Sequence, residues 1–483
     1  MRKKLLDCFD EIYILNLHGN SNIGETCLDG SKDQNVFDIK QGVGIATFVK
    51  KEKRVGETAV FYHDLYGLRE VKYNYLLEND AKIVKWQKLV PKKPYYFFIP
   101  KDNTLVEQYG CFLALNKVFK IFSTGVNTMR DHFLVDFDKD NLVKRIKLFV
   151  SADLSDEEVK RTFRIKDTRD WNVREARLNL KIADILVLRY AYRPFDTRWV
   201  AYDETLIDRG CSRMKIMKHF FKENIGIATL KSTHTIGGFT NVFVTKFVND
   251  GHLASDRSYI FPLYLYPDKT GNEQLEDKLS ERTPNLNTGF VTCLSSALTS
   301  SLEVKNEVSH KVNISPEQIL FYCYGIMYSN TYRKNYEEFL KIDFPRIPFT
   351  NDYNLFLEIS KIGEEIGRLH LLESPLLNKI EAEYPVPGDH LMEKPMYGEK
   401  EQKLYINKNQ YFGEVSKDVW EFTIGGYQVL DKYLKARKNK NLSQEEIEHL
   451  LKVITALKYT IEKMKVADEL LKKIDLNNLV STT

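Results

Sequence analysis

Cysteine is sparse and scattered: the six residues Cys8, Cys27, Cys111, Cys211, Cys293 and Cys323 form no Cys-x-x-Cys pair. That spacing excludes the common zinc motifs and a disulfide framework, and it leaves buried thiols as the expectation. Long apolar runs are missing too. No stretch approaches the roughly 18 residues that cross a bilayer, and the opening Met-Arg-Lys-Lys-Leu-Leu lacks the apolar core of a signal peptide. A cytoplasmic protein without membrane contact is expected. Charge of one sign is not in excess, with 71 Lys and Arg against 67 Asp and Glu, so any basic surface has to be local. The ten histidines lack the paired helical spacing of a metalloprotease, there is no P-loop, and no Ser/His/Asp or Cys/His set assembles from local signatures. His370, at the end of a helical pattern, reads either as an internally satisfied histidine or as a ligand. No catalytic, cofactor-binding or metal-binding residue is assigned.

What is present supports a large globular chain. At 483 residues and 43% hydrophobic content it can fill two or three cores. The end of a helix over residues 1–9 precedes strands predicted at Glu11–Leu17, Asn35–Ile39, Val43–Lys50 and Glu57–His63, like the closing edge of an α/β sheet. Such sheets usually place a glycine-rich, cofactor-cradling turn after the first strand, and none is found. Lys82–Lys101 holds six lysines and no acid, interleaved with Trp86, Tyr95, Tyr96, Phe97 and Phe98. Basic and aromatic side chains together suit a nucleic-acid backbone and its bases, but also a half-buried strand with a solvated face.

Tyr190–Trp199 (Tyr-Ala-Tyr-Arg-Pro-Phe-Asp-Thr-Arg-Trp) is the densest combination of rings and arginines. Pro194 stops it from being helical, so it should form a rigid platform bracketed by Arg193 and Arg198. Guanidinium forks suit phosphates and guanine edges, or pair internally with acids such as Asp196. Ser123–Asp131 is expected as a loop presenting Arg130. Arg209–Lys222 carries Arg209, Arg213, Lys215, Lys218 and Lys222 without an acid, and the spacing of Met214, Met217, Phe220 and Phe221 predicts a helix with one apolar and one basic face. Asp268–Asn287 reads as a linker. Beyond it, Ser315-Pro316 with Gln318, and Ser443 with Glu446, carry helix-start chemistry, and Phe356, Ile359, Ile362, Ile366 and Leu369 form an amphipathic stripe. Lys435–Lys440 is a short basic turn.

Five segments, in this order, carry a family resemblance: Ile12–Asn20, Asn35–Gly42, the platform Tyr192–Trp199, Tyr332–Pro348 ending Asp-Phe-Pro-Arg-Ile-Pro, and Trp420–Leu430. They are similar to the C-terminal half of Type ISP restriction-modification enzymes and of related single-chain adenine methyltransferases. The resemblance implies an α+β chain: residues 1–80 as the end of a methyltransferase fold, 81–267 as the first part of a target-recognition domain, 268–287 as a linker and 288–483 as its helix-rich remainder. It implies double-stranded DNA as partner and sequence recognition on behalf of an adenine-N6 methyltransferase. S-adenosylmethionine is the cofactor expected of the full-length family, with none held by this chain, because neither the glycine-bearing loop nor the Asn-Pro-Pro-Tyr motif that grips a flipped base is present. The nearest string is Lys93-Pro94-Tyr95-Tyr96. The candidate DNA-binding residues are Arg130, Arg193, Arg198, Arg209 and Arg213, with Lys215 and Lys218 on phosphates. The alternatives are a structural half that works with an upstream methyltransferase fragment, and an inactive gene remnant.

Overall fold

Strand β1 (Glu11–Asn16) is the centre of the first unit. It runs antiparallel to β2 (Gly44–Val49) and parallel to β3 (Ala59–Asp64), with Glu11 opposite Val49 on one side and Ala59 on the other. β4 (Gln87–Leu89) joins β3 to give the order β2-β1-β3-β4. The structure, a computed structural model, describes residues 1–480 apart from 22–23, 54–55, 94, 101–104, 182, 184, 233–237, 255–256, 268–281 and 305–311. The chain divides into two compact units, Met1–Cys111 and Phe112–Thr483.

In the first unit, helices α1 (Arg2–Cys8) and α2 (Arg69–Glu78) accompany the sheet. Lys72 of α2 is fully buried, and its ammonium meets Asp33 Oδ1, Leu17 O and Gln34 O, each at 2.7 Å. Three donors meet three acceptors, which is what a buried ammonium requires. The strand predicted at Asn35–Ile39 is absent. Asn35 instead donates to Gly19 O and Gln41 O and accepts from Phe37 N, so a side chain captures the backbone groups a ladder would need. Among the described residues β1 is the single neighbour of β2, which is exposed along nearly its whole length, including Ile45 (44% exposed) and Phe48 (38%).

The second unit is built from small sheets and long helices. The hairpin Leu186–Arg193 and Asp196–Tyr202 is flanked by Val248–Asn249 and Val135–Asp136. A second four-stranded sheet orders Val242–Thr245, Gly226–Thr229, Tyr259–Pro262 and Ser123–Thr124. Helices Pro316–Tyr328, Tyr353–His370 and Gln444–Lys472 form the C-terminal layer, and both expected capping boxes are in place, at Ser315/Gln318 and Ser443/Glu446. The first two helices cross closely: a Cβ on Gly363 would lie 1.9 Å from Phe321 O, and one on Gly325 would lie 2.8 Å from Ile359 O. Of the linker expected at 268–287, residues 268–281 lie outside the described residues. Its end is built in, since Thr283–Pro284 pairs with Tyr264–Leu265 and buried Asn285 donates to Ile121 O and Pro262 O. The architecture is α+β, in agreement with the sequence.

Candidate nucleic-acid interface

The platform is a tight hairpin. Pro194-Phe195 make its turn, with Phe195 at φ 62° and its ring buried edge-on to Phe243 at 5.2 Å. A bulky residue in left-handed conformation is held there by packing and by His449, whose ring nitrogen meets Phe195 O at 2.8 Å. Arg193 and Arg198 are both committed to partners within the protein. Arg193 contacts Asp250 at 2.9 Å and stacks on Tyr192, and Arg198 contacts Asp196 at 2.7 Å while stacking on Tyr192 and Phe137. Burial opposes the charge of Arg193, but Asp250 together with Tyr192 and Tyr427 outweighs it and raises the pKa. Asp250 also accepts from Tyr190 and from His252, and this bond raises the pKa of His252.

Trp199 and Phe137 also hold exposed cations. Arg189 lies opposite Trp199 in the hairpin register and 5.0 Å from its ring, with Lys139 at 5.1 Å from the same ring. Arg437 and Lys440 each sit 4.7 Å from Phe137, so the basic turn at 435–440 comes to the platform from a distant part of the sequence. Arg437 is buried and bound to Glu446 at 2.7 Å, whereas Lys139, Arg189, Lys438 and Lys440 are exposed. Among the described residues, no carboxylate lies within ion-pair distance of Lys139, Arg189 or Lys440. Ring faces hold these heads without neutralising them.

A second element joins the platform through Asp131, which accepts from Tyr192 at 3.0 Å. The loop leading to it is bound at every step: Gly125 N to Ser258 O, Val126 N to Asn249 O at 2.8 Å, and Asn127 N to Cys211 O at 3.2 Å. Gly125 is required, because a Cβ would lie 2.4 Å from Asp250 O. Arg130 turns inward, paired with Asp208, donating to Leu206 O at 2.8 Å and lying 3.7 Å over the Trp171 ring. Burial depresses its pKa, and Asp208 opposes the shift. This pins the loop against the 206–213 segment.

The seven candidate residues therefore fall into two groups. Arg130, Arg193 and Arg198 are framework, tied to Asp208, Asp250 and Asp196. Arg209, Arg213 and Lys215 are exposed, and Lys218 is half-buried. The continuous basic helix predicted over Arg209–Lys222 does not form. Gly210 and Arg213 adopt positive φ, leaving a helix of Met214–Met217 followed by a 3-10 turn at Lys218–Phe220. Arg213 closes the turn by donating to Gly210 O at 2.7 Å. Residues not foreseen are Lys139, Arg189, Lys440 and the exposed Met129. Two of these had a signal: a two-residue turn at Pro194-Phe195 places Arg189 across from Trp199, and Lys440 ends the basic turn 435–440.

Fold and surface together define a mixed α+β module with basic side chains arrayed on an aromatic, ion-paired frame. The family model for the Type ISP C-terminal specificity domain matches residues 117–466, and the chain belongs to that family. Three solved structures share the fold. A nuclease-deletion mutant of the Type ISP restriction-modification enzyme LlaGI in complex with a DNA substrate mimic aligns with TM-score 0.63 and 18% identity, over 96% of this chain and 37% of that one. The DrdV–DNA complex aligns with TM-score 0.66 and 20% identity, over 97% and 48%. The ATP-dependent Type ISP enzyme LlaBIII bound to DNA aligns with TM-score 0.69 and 21% identity, over 98% and 32%. The chain thus spans about a third to a half of the length of these proteins. No curated protein sequence matches it.

Proposed function

We propose that this chain recognises a specific duplex DNA sequence on behalf of an adenine-N6 methyltransferase in a restriction-modification system. The observation that carries the reading is the set of exposed cations, Arg189 and Lys139 on Trp199, Lys440 on Phe137, and Arg209, Arg213 and Lys215 on the segment tied to the Arg130 loop, all carried on a rigid frame of buried ion pairs. Exposed cations contact phosphates and set register, and a rigid frame lets a few forked side chains meet base edges. Arg130, Arg193 and Arg198 hold that surface in shape, while Lys218 joins Lys215 on the phosphate side. Among the described residues, the loop after β1 closes on Asn35 and does not open into a helix, so these residues do not suit S-adenosylmethionine, which would be bound, and its methyl group transferred, by the methyltransferase that the chain serves.

Replacing both Arg209 and Arg213 with Ala tests the assignment. Affinity for duplex DNA is expected to fall, and the slope of log K against log salt to flatten by about 0.9 for each phosphate that is no longer neutralised. Unchanged binding would reject the 208–213 segment as a contact surface.

A second reading is favoured by β2. A strand that among the described residues has one neighbour, with Ile45 and Phe48 exposed, suits addition of another strand. In this reading the first unit completes its sheet with an upstream methyltransferase fragment. Co-purification of the chain with such a fragment, abolished in Ile45→Lys/Phe48→Lys, is the expected result; a stable monomer indifferent to the fragment would count against it.

A further inference from the structure

Met129 is the anomaly of the interface. It is 59% exposed, apolar, and held at φ 58°, a left-handed conformation that bulky side chains rarely adopt. Its neighbours explain why it cannot relax. Thr128 is buried and bonded to Asp131, and Arg130 is buried and locked to Asp208 and Leu206 O. Met129 N itself donates to Asn127 Oδ1 at 3.2 Å. The side chains on either side point in and are fixed, so Met129 is thrust outward on a braced loop. That loop is bonded to the segment carrying exposed Arg209 and Arg213, through Asn127 N to Cys211 O.

An exposed, unbranched apolar side chain, rigidly presented on a loop bonded to the segment that carries Arg209 and Arg213, has the chemistry of a wedge that enters a base stack while cations grip the backbone. Resting on the duplex-recognition reading above, we propose that Met129 inserts between two adjacent base pairs and unstacks that step. The cost of unstacking is offset by the closer approach that a kinked duplex allows to the surrounding basic side chains.

The test uses the full chain and the duplex selected from a random library, with 2-aminopurine placed at successive positions. Binding is expected to brighten the two positions flanking a single step, several-fold over free duplex. Met129→Gly removes the wedge while relieving the positive φ, so its melting temperature should not fall. In it the brightening should return to baseline and affinity should drop on the order of tenfold. Met129→Leu keeps apolar bulk and should retain the signal. Salt-dependent binding without brightening, brightening of one position only as a flipped base gives, or a signal that survives Met129→Gly would overturn the wedge and leave duplex recognition standing. Absence of selection and of duplex binding would overturn both.

Discussion

Arg130 and Arg209 are both arginines in basic, loop-rich sequence, yet one is an internal strut and the other an exposed cation. The difference lies in partners supplied from far along the chain: Asp208 and Trp171 enclose Arg130, as Asp250 and Asp196 enclose Arg193 and Arg198. Residue type was legible in the sequence, and pairing was not. The two roles separate by measurement. Arg130→Ala leaves Asp208 buried without its cation and is expected to cost about 3–5 kcal/mol in denaturant unfolding, whereas Arg209→Ala should leave stability unchanged within about 0.5 kcal/mol. His370 gives a pH-dependent counterpart. It is buried, bonded to Tyr324 at 2.6 Å and Thr460 at 3.2 Å, and burial, with help from Arg333, pushes its pKa down to about 3. The unfolded chain therefore takes up this proton first as pH falls. Stability from this group is complete above about pH 6.5 and declines progressively below it, by about 1.4 kcal/mol per pH unit. Unfolding at pH 7 and pH 5 should show a smaller acid loss in His370→Gln than in the parent; an equal loss would deny the buried neutral imidazole its role.

At the scale of elements, local chemistry was the reliable guide. The capping boxes at Ser315 and Ser443 and the stripe from Phe356 to Leu369 involve residues three or four apart, and all form as expected. Asn35–Ile39 and Arg209–Lys222 had strand and helix patterns, but side-chain capture by Asn35 and positive φ at Gly210 and Arg213 prevailed. The helix crossing at Gly363 was hidden, because glycine's value there lies in a neighbour's carbonyl. Alanine would gain about 1 kcal/mol in helix propensity, but its Cβ would meet Phe321 O at 1.9 Å, so Gly363→Ala is expected to be destabilising by about 1–3 kcal/mol or more in chemical denaturation. A neutral or stabilising result would mean the two helices can separate at no cost.

For the whole molecule, the α+β character and the family were readable from five ordered segments, while the surface was not. Lys139 and Arg189 meet only because Trp199 holds both, and Lys440 reaches Phe137 from a third part of the chain. The first unit carries a different surface in β2, whose exposed Ile45 and Phe48 are the groups that Ile45→Lys/Phe48→Lys tests. Sequence-specific recognition is tested most directly by selecting bound molecules from a random duplex library at two salt concentrations, with and without S-adenosylmethionine. Enrichment of one sequence at both salts, unaffected by the cofactor, is expected of a specificity module. Binding that vanishes with salt and enriches no sequence, or no binding at all, would contradict it.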